Sequence, residues 1–475
     1  MIALAPRRAL AVRIADLPLR ALVACDAEAA VAETAAQMTT ADTASAVALD
    51  AAGRPVGIIT DSDLRRRVAR GPWTPSDPVR DIMSSPVVTI TRDALGLDAV
   101  EAMLRARIHH LVVVDDAGRA LAVVADSDLL VHEAADPLLL TRSIERARSV
   151  DELAGIRARY ATTVEVLMSA GARASAIGRI IAEANDLLQQ RLLAIAREEL
   201  GEEPRRYAWI VMGSEARRVQ TLRTDQDNGL IWQDGAADDR YFERLGTWMV
   251  VALERCGVRR CPGDVMATNE QWRGSEGQWR RRFAAWLSEP EPVALLQALI
   301  AFDLRAAGGA TDMVAALRAW LLERTPRARI LLTHMARELR RRTVALGPLG
   351  GIRLRAGSFD AKMEAIGIAV DGARLLALEL GIDETSTLAR IARAAEMGAI
   401  PRQDAAEVAE AYEWIGALRL GRQVTQAKQG RPAENLIAPG ELSRAQRASL
   451  KEHLHAISRF QNGVAERFGQ AARIQ

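Results

Sequence analysis

Apolar and polar positions follow four different patterns along the 475-residue chain. In residues 1–136, short apolar runs alternate with amphipathic stretches, which predicts strands and helices in turn. In residues 137–204, apolar side chains recur every three or four positions, which predicts a helical connector packed against the next domain of the chain. Residues 205–310 return to a mixed pattern, and residues 311–475 are almost entirely helical in period. We therefore expect a multidomain α/β plus α protein that ends in a helical bundle.

The first of these zones repeats itself at an offset of 65 residues (116 − 51). AAGRPVGIITDSDLRRRVA at 51–69 aligns with DAGRALAVVADSDLLVHEA at 116–134. Each copy has a turn, an apolar strand and an Asp-x-Asp start to a helix. Two copies are too few for a solenoid, which needs about three repeats. The repeat instead predicts two α/β units, at about 10–70 and 77–136, packed as a pseudo-dimer.

In the mixed zone, RRYAWIVMG and DNGLIW are typical of buried strands, and DDRYFERLGTWMVVALERCG is typical of a helix. VRRCPGDVMA predicts a third strand with a turn, and ALIAFDLR is a further apolar segment. This zone is therefore expected to be a small α/β domain.

Composition narrows the classes of protein that remain. Hydrophobic content of 49% and charged content of 26% are ordinary for a globular protein, and a formal net charge of +2 provides no general attraction for nucleic acid or membranes. No uncharged apolar run approaches the roughly 18 residues of a membrane span. Three cysteines without a Cys-x-x-Cys pair indicate free thiols in a reducing compartment. We expect a cytoplasmic protein.

The stretch GSEARRVQTLRTDQDNGLIW, residues 213–232, carries the most specific chemistry. Gly213 has no Cβ and Ser214 adds a hydroxyl donor, so the chain here can approach an anion closely. Asp225 and Asp227 are two residues apart, which on a strand places both carboxylates on one face. Mg²⁺ is commonly held by a few carboxylates together with substrate phosphate oxygens. The stretch therefore predicts a site for a metal and a phosphorylated ligand, although an isolated Asp-x-Asp is more often a turn with capping residues.

The Gly-Ser pair, the gap of about ten residues and the Asp-x-Asp pair resemble the DNA polymerase β-like nucleotidyltransferase superfamily. More narrowly, the chain is similar to nucleotidyltransferases of bacterial signal-transduction proteins with CBS modules, relatives of the PII-protein uridylyltransferase. The likeness continues through CPGDVMATNEQW (261–272), FDLRAAGG (302–309) and SFDAKMEAIGIAVDGARLLALELGI (358–382). It covers most of 140–475.

The resemblance implies roles for particular residues. Gly213 and Ser214 would hold a triphosphate, and Asp225 and Asp227 would bind Mg²⁺ or Mn²⁺. The superfamily usually adds a third carboxylate on a later strand, for which we expect Asp303.

Asp264 is the alternative third carboxylate. Arg217, Arg218 and Lys362 are the further candidates for contacts with the nucleotide, although arginine is so abundant in this chain that its presence alone carries little weight.

The repeated zone resembles the cystathionine-β-synthase (CBS) domain pair, a regulatory module that commonly binds adenine nucleotides between its halves. By that resemblance, Thr60 and Asp63 of the first copy would contact phosphate and ribose. The second copy keeps Asp128 but has Ala125 in place of the hydroxyl residue. The same aspartates alternatively satisfy N–H groups at helix starts and do nothing more. We also expect a homodimer formed through the CBS pair.

These patterns predict an enzyme that transfers NMP from an NTP to an acceptor, a protein among the candidates, with release of pyrophosphate. Adenine nucleotide at the CBS pair would regulate it. The alternative is an inactive signalling protein in which the same fold only binds nucleotide. A third carboxylate within about 4–5 Å of Asp225 and Asp227 would favour the enzyme.

Overall fold

The computed structural model describes residues 10, 12–17, 19–69, 74–129, 137–235, 239–288, 299–347 and 351–471. The chain divides into two compact units, of which the first comprises Met1–Thr141 with Ser169–Ala172 and the second comprises the remainder. The end predicted for the first domain, near residue 136, lies outside the described residues.

The first unit contains both copies of the repeat. Its elements in chain order are β1 Arg20–Ala21, β2 Ala24–Cys25, α1 Val31–Thr40, β3 Ser45–Leu49, β4 Pro55–Thr60, α2 Asp61–Ala69, β5 Thr89–Thr91, α3 Gly96–Ala106, β6 His110–Val114 and β7 Ala120–Ala125. In each copy a strand runs parallel to the first strand of a hairpin (β2 with β3–β4, β5 with β6–β7), and a helix connects them. β1 pairs with β7, so the beginning of the first copy extends the sheet of the second.

The hairpin turns of the two copies are built identically. Oδ1 of Asp50 accepts hydrogen bonds from the N–H groups two and four residues later, and Asp115 does the same, at 2.8–3.0 Å. Gly53 and Gly118 follow with φ of +77° and +78°, which glycine adopts without steric cost. Buried valines from both copies pack in one cluster. The predicted repeat is confirmed.

The remaining elements are mostly helices. They are α4 Pro137–Arg146, α5 Val150–Arg157, α6 Tyr160–Ser169, α7 Ala174–Leu200, β8 Tyr207–Met212, α8 Gly213–Ala216, β9 Asn228–Trp232, α9 Arg240–Arg255, β10 Arg273–Ser275, α10 Glu276–Ser288, β11 Leu304–Gly309, α11 Thr311–Arg324, α12 Arg329–Arg341, β12 Phe359–Asp360, α13 Gly367–Leu380, α14 Thr387–Glu396, α15 Arg402–Lys428, β13 Leu436–Ile437 and α16 Arg444–Ala471.

A four-stranded sheet with the order β10–β9–β8–β11 forms the centre of the second unit. β8 is antiparallel to both neighbours, whereas β10 is parallel to β9. The strands predicted at β8 and β9 and the helix at α9 are confirmed. The strand predicted in VRRCPGDVMA is wrong: this segment makes only an isolated bridge, between Arg259 and Asp225, and then turns at Pro262 and Gly263. Proline cannot donate to a strand ladder, so pairing stops there.

Helices cover the sheet and form the C-terminal bundle. α7 packs against α9, β11 and α15, so the apolar stripe of the predicted connector is buried within the second unit. α12 to α16 pack on one another around α13, whose side chains are buried on nearly every side. One hydrophobic cluster runs from β8 and β9 through this bundle to α16. Among the described helices, none is long and apolar enough to cross a membrane.

Candidate functional site

A cavity of about 620 Å³ lies in the second unit, at the end of β8 and against α13 and α15. Its charged lining, among the described residues, consists of six cations and two carboxylates: Arg217, Arg223, Asp227, Arg342, Lys362, Asp371, Arg374 and Arg419. A cavity with this balance of charge attracts anionic ligands.

Gly213 is required where β8 enters the cavity. Its φ is +57°, and a Cβ at this position would stand 2.8 Å from Oδ2 of Asp227. Its N–H donates to the carbonyl of Asp303 at 3.0 Å, so this N–H is not free to bind phosphate as predicted. The glycine instead makes room for the Asp227 carboxylate. Ser214 lines the cavity, and its hydroxyl has no hydrogen-bond partner among the described residues.

The Asp-x-Asp segment is extended and ends where β9 begins. Gln226, between the two aspartates, is buried, and its side-chain amide donates to the carbonyls of Val250 and Val258 at 3.1 Å each. Successive side chains of an extended chain point to opposite sides, so Asp225 and Asp227 share the face away from Gln226. Tertiary bonds to α9 and the segment after it therefore hold both carboxylates in place.

The two carboxylates are both partly buried but differ in their partners. Asp225 pairs with Arg259 at 2.8 Å, whereas Asp227 has no ion pair among the described residues. Burial raises the pKa of Asp227, while a hydrogen bond from Cys261 and the charge of Lys362 act in the opposite direction. A desolvated carboxylate whose charge is only partly balanced is suited to bind a cation. Two carboxylates plus phosphate oxygens are a typical ligand set for Mg²⁺, so these residues fit the predicted metal.

Asp303 lies immediately before β11 and is completely buried among three guanidinium groups. Its Oδ2 is 2.6 Å from Arg217 and 2.7 Å from Arg374, and its Oδ1 is 2.6 Å from Arg390. Burial alone would raise the pKa of Asp303, but the three guanidinium groups outweigh it and hold that pKa well below its usual range. This carboxylate is therefore ionised at neutral pH, and each of its oxygens has an arginine within ion-pair distance.

The prediction that Asp303 joins Asp225 and Asp227 as a third metal ligand does not fit this geometry. Arginines occupy both of its oxygens, and no group of three His, Cys, Asp or Glu residues in the described part of the chain is arranged to hold a metal. Asp264, the alternative, is exposed in a turn and accepts a bond from Asn269 at 3.0 Å. Of the predicted carboxylates, Asp227 thus lines the cavity, and Asp225 shares its face but is not among the described lining residues.

The two predicted arginines point in different directions. Arg217 lines the cavity, held there by Asp303. Arg218 has φ of +58° and pairs with Glu183 of α7, with Asp186 at 3.8 Å, and is not among the described lining residues. The predicted contact between Arg218 and nucleotide is therefore not supported. Lys362, just before α13, does line the cavity.

Three family models match the chain. Residues 158–293 match the family described as "Putative nucleotidyltransferase DUF294", and residues 329–468 match the "Putative nucleotidyltransferase substrate binding domain". Residues 14–70 and 79–134 each match the CBS domain. The chain therefore carries a CBS pair, a DUF294 region and the substrate-binding region described with it.

Individual relatives match shorter parts of the chain. "Uncharacterized protein MK0525" of Methanopyrus kandleri is 34% identical over 109 residues, which are 23% of this chain and 54% of that protein. The chain thus spans about half the length of this curated relative. Among solved structures, the CBS domain protein PAE2072 from Pyrobaculum aerophilum, complexed with AMP, is 28% identical with a TM-score of 0.25, over 27% of this chain and 99% of that one. The CBS domain pair of protein MJ0100, in complex with 5′-methylthioadenosine and S-adenosyl-L-methionine, is 22% identical with a TM-score of 0.23, over 25% and 92%.

In the CBS pair, the predicted ligand residues make local contacts. Oδ2 of Asp63 accepts hydrogen bonds from the N–H and the hydroxyl of Thr60, at 3.0 and 2.7 Å. Asp128 accepts from the N–H of Ala125 at 2.8 Å. Both aspartates thus make the capping contacts expected as the alternative to ligand binding, and the copies differ by the one hydroxyl.

Several residues that line the cavity were not predicted from the sequence. Arg374 and Arg419 lie on α13 and α15 of the C-terminal bundle, and Arg342 directly follows α12. Arg374 is 71 positions from Asp303, its partner in space. Because arginine is so abundant in this chain, no sequence pattern distinguishes these residues from the other arginines. A usable signal existed for Arg374, because a charged residue within the apolar stretch of a helix buried on all sides must have a partner.

Proposed function

We propose that the DUF294 region transfers NMP from a nucleoside triphosphate to the hydroxyl group of an unidentified acceptor. The acceptor oxygen gives its proton to solvent and forms a bond to the α-phosphorus, the bond from the α-phosphorus to the bridging oxygen of the β-phosphate breaks, and pyrophosphate leaves. The observation that carries the proposal is the Asp227 carboxylate, seated against Gly213 in a cationic cavity and without an ion pair among the described residues. The match of residues 158–293 to a family model described as a putative nucleotidyltransferase supports it.

The residues have distinct roles in this proposal. Asp225 and Asp227 would hold Mg²⁺ or Mn²⁺, which when bound offsets phosphate charge and polarises the phosphoryl group. Ser214 offers a hydroxyl to phosphate oxygens, and Arg217 and Lys362 offer positive charge. Asp303 keeps Arg217 directed into the cavity.

The test is a transfer assay with α-labelled ATP, GTP, CTP and UTP, Mg²⁺ or Mn²⁺, and cell extract as the source of acceptor. Asp227→Asn should reduce labelling at least about 100-fold, since even outer-shell partners of metal ligands are typically worth 10–100-fold. Asp264→Asn is the matched control, because Asp264 is exposed and outside the described lining. Full activity of Asp227→Asn would refute the assigned site.

A second candidate function is nucleotide binding without transfer. It is favoured by one observation: Asp303, the expected third carboxylate, is fully paired with arginines. A wild-type chain that binds NTP yet labels nothing with any of the four nucleotides would support this candidate over the enzyme.

We also propose that the CBS pair binds an adenine nucleotide and thereby regulates the nucleotidyltransferase region. The two CBS matches support this, and Asp63, near the start of α2, is the residue that would contact the ribose. An aspartate at such a position can accept hydrogen bonds from ribose hydroxyls.

A further inference from the structure

The cations that line the cavity fall into two sets. Arg217 and Arg374 pair with Asp303, and Arg342 pairs with Asp371. Lys362, Arg223 and Arg419 form a second set, which has no carboxylate within ion-pair distance among the described residues. We call these three residues the unpaired cations.

Arg419 of α15 is the most buried of the unpaired cations, with only 7% of its surface exposed. Its Nε donates to Oδ1 of Asn435 at 2.7 Å, and one terminal nitrogen donates to the hydroxyl of Thr221 at 3.0 Å. Both partners are neutral, and burial lowers the pKa of Arg419 to about 10. A buried guanidinium with only neutral partners is costly unless an anion balances it.

Lys362 connects Arg419 to the aspartate pair. Its ammonium has no hydrogen-bond partner among the described residues, and it feels the charges of Asp225, Asp227 and Arg419. Burial is the largest influence and lowers its pKa. The Lys362 ammonium is therefore close both to the predicted metal ligands and to Arg419 of α15.

We propose that Lys362, Arg223 and Arg419 bind the β- and γ-phosphates of a nucleoside triphosphate. This inference rests on the proposed function and assigns the part of the site that binds the phosphate chain. In it, α15 of the C-terminal bundle clamps the phosphate chain against the segment that contains Thr221. Three unpaired cations match a polyphosphate better than a single phosphate, and guanidinium groups suit phosphate geometry. Apolar residues, among them Ile366, Val370 and Leu420, line the same cavity.

The experiment titrates the full chain with inorganic tripolyphosphate in EDTA and measures binding by calorimetry. Tripolyphosphate carries no adenosine, so it separates this site from adenine-nucleotide binding at the CBS pair. We expect Arg419→Met and Lys362→Met each to weaken binding at least about tenfold, as expected for loss of a charge-assisted contact. Arg422→Met is the matched control: it lies on the same helix, pairs with Glu441 and is outside the described lining of this cavity.

Absence of tripolyphosphate binding in the wild type, equal weakening by Arg422→Met, or equally tight binding of orthophosphate would overturn the inference. Lys362→Met keeps the test valid if Arg419→Met fails to fold, because the Lys362 side chain has no hydrogen bond to lose among the described residues. If the wild type binds tripolyphosphate but transfers no nucleotide, the proposed function is refuted and the phosphate site stands. If the wild type transfers nucleotide but neither variant weakens tripolyphosphate binding, the phosphate site is refuted and the proposed function stands.

Discussion

Glu215, inside the Gly-Ser-Glu-Ala motif, is a buried carboxyl held by neutral groups. Nε2 of Gln189 donates to it at 2.6 Å, and Gln189 in turn accepts from the indole of Trp209 at 2.7 Å. Burial, and next the charge of Asp186, raise the pKa of Glu215 to about 7. The motif is therefore attached to α7 and β8 by a side chain that titrates near neutral pH.

This shift gives stability a defined pH dependence. The unfolded chain ionises Glu215 near 4.5, so the advantage of the neutral folded carboxyl is complete below that pH and is lost as the pH rises to about 7. We expect Glu215→Gln to be more stable than the wild type at pH 8 by roughly 1–3 kcal/mol, at about 1.4 kcal/mol per pKa unit. The gain should shrink towards pH 5.

Urea unfolding at pH 5, 6.5 and 8 measures this difference in stability. Glu254→Gln, which alters an exposed carboxyl beside Arg260, should show little change at any of these pH values. A Glu215→Gln difference that stays constant across the range would contradict the assigned titration.

Asp303 links separate elements of the second unit. Through three arginines, one carboxylate ahead of β11 connects the segment after α8 with α13 and α14. Arg374 extends the chain of charges to Asp371 at 2.8 Å, and Asp371 pairs with Arg342 of the segment after α12. The sheet and the bundle are thus joined by ion pairs at the cavity wall.

Asp303→Asn should destabilise the protein by about 3–5 kcal/mol, because removing one member of a buried ion pair leaves uncompensated charge. Asp312→Asn is the control, since Asp312 makes an exposed pair with Arg206, and its loss should change little. Urea unfolding compares them. A metal ligand without a structural role would give the opposite pattern, in which Asp303→Asn keeps full stability and loses only metal-dependent transfer.

The whole molecule has its CBS pair and its cavity in different compact units. Any effect of adenine nucleotide on transfer must therefore be a coupling between distinct sites, and such coupling is reciprocal for binding. We expect AMP to bind the full chain and to change its affinity for tripolyphosphate, with tripolyphosphate changing the AMP affinity by the same factor.

Asp63→Ala should weaken AMP binding at least about tenfold, a loss of about 1.4 kcal/mol. Asp50→Ala is the control, because Asp50 has a similar set of backbone contacts in the hairpin turn. Calorimetry measures both variants. Unchanged AMP affinity in Asp63→Ala would assign that aspartate to helix capping alone.

Local and periodic features could be predicted without coordinates. The repeat followed from the alignment of residues 51–69 with 116–134, and β8, β9, α9 and the helical C-terminal region followed from the spacing of apolar residues. The candidates Gly213, Asp225 and Asp227 followed from a short motif. These features depend on neighbours within a few positions, where backbone geometry dictates which side chains share a face.

In contrast, only the tertiary structure decided which groups the charged side chains pair with. The sequence predicted Asp303 as a metal ligand and Arg218 as a phosphate contact. In the folded chain Asp303 is surrounded by three arginines, and Arg218 pairs with Glu183 of α7. Arg419 lines the cavity and donates to the hydroxyl of Thr221, which lies 198 positions earlier in the sequence. An ion pair is set by distance and burial in space, and sequence separation carries almost no information about either.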